Sequence, residues 1–214
     1  MSNLYADLPL RKYLDDAASG RPTPGGGSVS ALAAALGTSM ACMAASFTVG
    51  KEKFVAVEAQ CRRILDDCEA ARAELLALAD EDTQAYAHVS KAYGMPKATP
   101  EQKVARTEAI QEALRTAMDA PLRAFRVCAR VCGELDELAQ IANPNLISDV
   151  GVAAIIVLAG LEGAKLNVEI NLSYLNDKAF VDQMRQEINE TRARARRAAT
   201  EVFEKVRKQI GATD

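Results

Sequence analysis

The chain has 214 residues, and its 26 Lys and Arg against 29 Asp and Glu give a formal charge of -3, which argues against the basic face that nucleic-acid binding needs. Hydrophobic residues make up 49% and charged residues 26%, a globular balance that excludes a largely disordered chain and favours one domain over residues 1–214. Trp is absent, aromatics are only 5% and Ala is the commonest residue, so small side chains must fill much of the interior and backbones must pack closely.

Helical periodicity runs along almost the whole chain, and no alternating β-branched run bounded by turns marks a strand. The expected fold is an all-α helical bundle. A short helix is expected over 8–18, broken by the turn chemistry of PTPGGGS at 22–28. Ser28 is then placed to cap an apolar helix that runs to about residue 49 and ends at Gly50. No charge falls between Arg21 and Lys51, a stretch long enough to span a bilayer. Its Ala, Ser, Thr, Gly, Cys and Met are weakly hydrophobic, however, and no basic cluster orients it, so a helix buried on all sides is expected rather than a membrane span. Within it Ala33, Gly37, Ala41 and Ala45 recur every four residues, a seam that favours close helix packing inside the chain, with a subunit interface as the alternative.

A long amphipathic helix follows over 54–93, its stripe reading Phe54, Val57, Cys61, Leu65, Cys68, Leu75, Ala79, Asp82, Tyr86, Val89 and Tyr93. Gly94 and Pro96 stop it, and Thr99-Pro100-Glu101 restarts the chain with a cap, a proline and an acid. Helical pattern then runs toward Leu138, with a kink expected at Pro121. Asn143-Pro144-Asn145 breaks it, and Ser148-Asp149 opens a second weakly charged helix over 150–174. The last helix, 181–210, carries a narrow stripe through Met184, Ile188, Ala195 and Val202 inside a highly charged surface, as an outer helix does. Two buried Ala/Gly-rich central helices wrapped by long amphipathic ones are therefore expected.

The inventory of reactive side chains is short. The five Cys are odd in number and lie in helix-like sequence, which argues against a disulfide framework and for a reducing, cytoplasmic setting. The N-terminal MSNLYADLPLRKYL also lacks the basic-then-apolar pattern of a signal peptide. One His, His88, and no CxxC pair leave no ligand set for a metal, so no metal site is expected and a His-based nucleophile system has little support. Gly25-Gly26-Gly27 lacks the Lys-Ser/Thr ending of a phosphate loop, but three glycines before a helix expose N–H groups and admit a ligand to the main chain. A plain flexible turn is the alternative.

Asp82 falls on the apolar stripe of its helix, where a carboxylate is costly unless it is paired with Arg or Lys or used. Asp149 sits at the start of an apolar helix, where the dipole keeps it ionised, as a cap or as a base. Asn167 and Asn171 present two amides one turn apart, fit for interhelical hydrogen bonds or for a heterocycle's edge. Lys51 and Lys53 flank the turn after the apolar helix and suit either its C-terminal end or a carboxylate ligand. A helix rises about 1.5 Å per residue, so Ser28 and Lys51 lie roughly 30 Å apart. One chain cannot gather both into a compact pocket, whereas a dimer can join the two ends. Antiparallel central helices bring the glycines to Asn167 and Asn171, and Lys51 to Asp149; parallel helices exchange the partners.

The segments PTPGGGSVSALAAALG, VGKEKF, AYGMPKATPEQK, EAIQEAL, NPNLISDVGVAA and LNVEINL occur in an order that resembles the cyclodeaminase/cyclohydrolase family of folate enzymes, over residues 8–176. The resemblance implies an all-helical, usually dimeric protein acting on tetrahydrofolate that carries a one-carbon unit, with no tightly bound cofactor and no membrane or nucleic-acid partner. Family members either expel ammonia from 5-formiminotetrahydrofolate or hydrolyse 5,10-methenyl- to 10-formyltetrahydrofolate. The chain is too short for the formiminotransferase domain of the animal enzymes, and its GMPK segment looks closer to the bacterial cyclohydrolases, so hydrolysis is favoured. The cyclodeaminase activity is the alternative, and a non-catalytic folate-binding or scaffold protein is the alternative of another class. On this resemblance the expected catalytic residues are Asp149 as base, Lys51 as its partner, and Asp82. Substrate binding is expected at Gly25, Gly26, Gly27, Ser28, Asn145, Asn167 and Asn171, with Lys53 or Lys97 on the glutamate carboxylates.

Overall fold

The computed structural model describes residues 4–212, which form helices and short 3-10 turns with no strand among the described residues. The helices are α1 (Leu10–Ala17), α2 (Gly26–Ser46), α3 (Glu58–Tyr93), α4 (Pro100–Ile141), α5 (Ile147–Ser173) and α6 (Lys178–Gln209). The all-α expectation holds, and the breaks fall where Pro, Gly and Asn place them. Thr99 and Gln102 form a reciprocal capping box at the start of α4, and Asp177 caps α6 through the Phe180 N–H at 3.1 Å. α4 runs on through Pro121 to Ile141 as one helix.

Two start signals are displaced. α2 begins at Gly26 behind an extended Gly25, so Ser28 lies inside its first turn instead of capping it. The first-turn N–H of Ser28 is satisfied from another helix, by Asp82 of α3, which removes the need for a local cap. α5 likewise begins at Ile147, after a 3-10 turn over Pro144–Leu146, and takes Ser148 and Asp149 into its first turn.

The helices stack in two layers. α2 and α5 form one, antiparallel and in close contact: Gly37 lies against Val157, Ala34 against Gly160, Ser30 against Gly163 and Gly26 against Asn167. A Cβ at Gly160 would stand 2.7 Å from the Ala34 Cβ, nearer than side-chain carbons approach. The close contact runs along Gly26, Ser30, Ala34 and Gly37; of the expected seam Gly37 takes part in it, Ala41 and Ala45 are buried, and Ala33 is half-buried. α3, α4 and α6 form the second layer, α4 in the middle between both neighbours and over the α2–α5 pair. Phe125, Cys128, Val131, Cys132 and Leu135 of α4 are buried in one core shared with the other long helices.

This arrangement corrects the expectation that α2 and α5 are covered all round. Only one of their faces meets the second layer, and Val29 and Leu36 of α2, Phe47 just past its end, and Ile155, Leu166 and Ile170 of α5 are exposed on the other. Gly26–Ser46 and Pro144–Ser173 are long and apolar enough by composition to cross a bilayer. α4 is the middle helix of its layer and touches both helices of the other, a central position that its outer charges and internal proline disguise in the sequence.

Candidate active site

The N-terminal end of α2 is where three helices converge. The glycines are there for close approach: a Cβ on Gly27 would overlap the Asp82 carboxylate, and one on Gly26 would lie 3.2 Å from Asn167 Nδ2. Gly25 is under no such restriction, since a Cβ there would make ordinary contact. Ser28 donates its N–H to Asp82 Oδ2 at 2.9 Å, so a carboxylate from α3 sits on the positive end of the α2 dipole. Burial pushes the Asp82 carboxyl above the ordinary aspartate range, and the Ser28 N–H draws it part of the way back. No Arg or Lys among the described residues forms an ion pair with Asp82, so the structural-pair alternative is not realised.

Asn167 and Asn171 stand on the α5 side of this end. Each amide nitrogen is committed one turn back, Asn167 Nδ2 to the Gly163 carbonyl at 2.9 Å and Asn171 Nδ2 to the Asn167 carbonyl at 2.8 Å. Their side-chain oxygens remain as the acceptors that a donor-bearing heterocycle can meet.

Lys51, Lys53 and Asn145 come together at the opposite end of α2, around a cavity of about 650 Å³ with Phe54, Asn143 and Pro144. The corner is tied down by the Asn143 N–H, which donates to Thr48 Oγ1 at 2.9 Å, and by Asn143 Oδ1, which accepts from the Asn145 N–H at 3.1 Å. Asp149 is half-buried in the first turn of α5 and is not part of the cavity wall. The antiparallel arrangement thus gathers Gly26, Gly27, Ser28, Asp82 and Asn167 at one end and Lys51, Lys53 and Asn145 at the other, roughly 30 Å away at 1.5 Å per residue. Lys97 is exposed in the α3–α4 loop. His88 is exposed beside Arg115 and Asp119, and no group of three or more His, Cys, Asp or Glu among the described residues is placed to hold a metal.

Three residues at the glycine end had no periodic signal in the sequence. Asp80, only 6% exposed, accepts the Tyr5 N–H at 2.6 Å and the Ala6 N–H at 3.2 Å. Tyr13 is buried, with its hydroxyl 3.0 Å from Ser28 Oγ, and Tyr5 packs edge-on against it. Asp80 is hidden in the sequence among the acids of ADEDT, and the two tyrosines lie ahead of the glycines in a segment too short to show a period.

Residues 9–190 match the family model described as Formiminotransferase-cyclodeaminase. The chain is 39% identical over 201 residues to a methenyltetrahydrofolate cyclohydrolase of Methylorubrum extorquens, covering 94% of this chain and 97% of that one. It is 38% identical over 183 residues to a formimidoyltransferase-cyclodeaminase of Rattus norvegicus, covering 86% of this chain but 34% of that longer protein. Among solved structures, a formiminotetrahydrofolate cyclodeaminase from Thermotoga maritima superposes with a TM-score of 0.78 at 32% identity, over 96% of each chain. A family match over most of the chain, with the same helical architecture end to end, makes this chain a member of the formiminotransferase-cyclodeaminase family.

Proposed function

We propose that the chain hydrolyses 5,10-methenyltetrahydrofolate to 10-formyltetrahydrofolate. The observation that carries this reading is the end-to-end correspondence with the Methylorubrum cyclohydrolase, over 97% of that enzyme. The site chemistry agrees with it. The methenyl carbon belongs to a cationic amidinium and is already electrophilic, so water can add to it without a covalent protein nucleophile. The water oxygen bonds to that carbon and gives one proton to a base; the bond to N5 then breaks as N5 takes a proton and the new hydroxyl gives up its own, leaving the formyl group on N10. One proton is released overall.

In this scheme Asp149, in the first turn of α5, orients and deprotonates the water, and Lys51, on the wall of the cavity at the same end of the pair, relays the proton. Asp82, held above the ordinary carboxylate range by burial, is suited to deliver the proton to N5. The glycine-end N–H groups of Gly25, Gly26 and Gly27, with the amide oxygens of Asn167, Asn171 and Asn145, hold the pterin and aminobenzoyl parts, and Lys53 meets the glutamate carboxylates. Folate is the substrate and no tightly bound cofactor is invoked. Because these residues sit at both ends of α2, the working unit is a homodimer joined through the exposed apolar face of α2 and α5. A two-fold axis across those helices sets the glycine end of one protomer over the lysine end of its partner. The protein acts in the cytoplasm.

A second reading, ammonia release from 5-formiminotetrahydrofolate, is favoured by the likeness to the Thermotoga cyclodeaminase at 32% identity. The deciding experiment offers the purified protein each folate in turn. Loss of methenyl absorbance without ammonia is expected. Ammonia from the formimino substrate, with no methenyl hydrolysis, would replace the first reading by the second, and turnover of neither would leave a non-catalytic folate-binding or scaffold protein.

A further inference from the structure

We infer that Tyr13 is a positioning residue for Asp82, acting through Ser28, and that the segment ahead of α1 is the brace that holds Tyr13 in place. This rests on the reading of Asp82 as a reacting group. Tyr13 is 5% exposed and Ser28 is fully buried, and their hydroxyls are 3.0 Å apart. A phenol that only filled space here would pay for its desolvated hydroxyl without return, and this one has a specific partner. Ser28 is the pivot. Its Oγ meets Tyr13 while its N–H donates to Asp82 Oδ2 at 2.9 Å, so the bond to Tyr13 fixes the residue whose N–H aims the carboxylate.

Tyr13 is itself over-determined. The Tyr5 ring stands edge-on to it, with centroids 5.2 Å apart at 85°, and the Tyr5 hydroxyl donates to Asp16 Oδ2 at 2.9 Å. Asp16 is also bonded by Lys12 Nζ at 2.6 Å and Arg21 Nη1 at 3.3 Å. The main chain of the segment is pinned by Asp80, which takes the N–H groups of Tyr5 and Ala6. Asp80 and Asp82 lie two residues apart on α3, so one helix both presents the reacting carboxylate and anchors the brace that aims it. The path closes on itself, from Asp80 through Tyr5, Tyr13 and Ser28 to Asp82.

Steady-state kinetics of methenyl hydrolysis tests this. Tyr13→Phe is expected to lower kcat about tenfold with KM within about twofold, because aim and not folate affinity is lost. Ser28→Ala breaks the same bond from the other side, keeps the N–H, and is expected to match that loss. The double variant is expected to be no worse than either single one, since the two changes remove one interaction. Losses that multiply, or a Tyr13→Phe enzyme with a lower melting temperature and unchanged kcat, overturn the inference. Should Tyr13→Phe fail to fold, an unchanged kcat in Ser28→Ala overturns it. Asp82→Asn separates this from the reading beneath it: full activity in that variant refutes the role of Asp82, whereas an inactive Asp82→Asn beside fully active Tyr13→Phe and Ser28→Ala refutes only the positioning.

Discussion

At the scale of single residues, Asp82 was legible and its surroundings were not. A carboxylate on a core-facing stripe is costly, and that cost is visible in periodicity alone. What meets it was not visible, because the donor is a backbone N–H from a helix 54 residues earlier in the chain. The same blindness applies to Ser28, which has the composition of a cap and serves instead as a donor within the first turn. The pKa direction of Asp82 gives a test that separates reaction from structure. Its folded value is raised, so the ionised form is disfavoured by the fold: the penalty is absent below the unfolded pKa and complete once the pH exceeds the folded one. Asp82→Asn removes that penalty and can still accept the Ser28 N–H. The expected outcome is at least about a hundredfold loss of kcat, with a melting temperature at neutral pH equal to or above that of the parent. The difference in melting temperature closes as the pH falls below the ordinary aspartate value. A large loss of melting temperature at neutral pH would make Asp82 a structural group.

At the scale of elements, the helix boundaries were legible because Pro, Gly and Asn interrupt the chain for local steric reasons. The layer order was not. A helix that is apolar on every face tells nothing about which face is covered, and α2 and α5 leave one face open where all-round burial was expected. Conversely α4, with charged outer positions and Pro121, takes the middle place in its layer and buries Phe125, Val131 and Leu135 in the shared core. What the composition did dictate is the closeness of the α2–α5 pair, since an Ala-rich, Trp-free chain builds its interior from backbone approach. Gly160 is the tightest test of that. A Cβ there would meet Ala34 Cβ at 2.7 Å and the Ser30 carbonyl oxygen at 2.8 Å, and neither is the end of a flexible side chain. Gly160→Ala is therefore expected to destabilise by about 1–3 kcal/mol, read as a melting temperature lower by roughly 2–4 °C per kcal/mol for a chain of this size. An unchanged midpoint would mean that the two helices can spread at little cost. The same variant lies one turn from Gly163 and two from Asn167, so spreading that does occur should also weaken folate binding.

At the scale of the whole molecule, the feature that matters is the separation of the two candidate half-sites. The glycine end and the lysine end lie at opposite termini of α2, roughly 30 Å apart, and no bend of one helix brings them together. The face between them is apolar and open, with Leu36 at 55% and Leu166 at 69% exposure, an extent that favours association over solvation. In the proposed dimer a second copy of this chain, turned about an axis across α2, covers that face and makes two composite sites, each with a glycine end from one protomer and a lysine end from its partner. Subunit complementation checks this directly. Asp82→Asn and Asp149→Asn protomers are each expected to form inactive homodimers. A purified heterodimer carrying one of each, selected by two different tags, holds one site with both defects and one with neither, so about half of the parent activity should return. If each chain housed a complete site of its own, both sites of the heterodimer would carry a defect and nothing would be recovered. Leu36→Glu supplies the matching control. A carboxylate in the middle of the shared face should yield a monomer by sedimentation, with helix content retained and hydrolysis lost, whereas an active monomer would place the whole reaction within one chain.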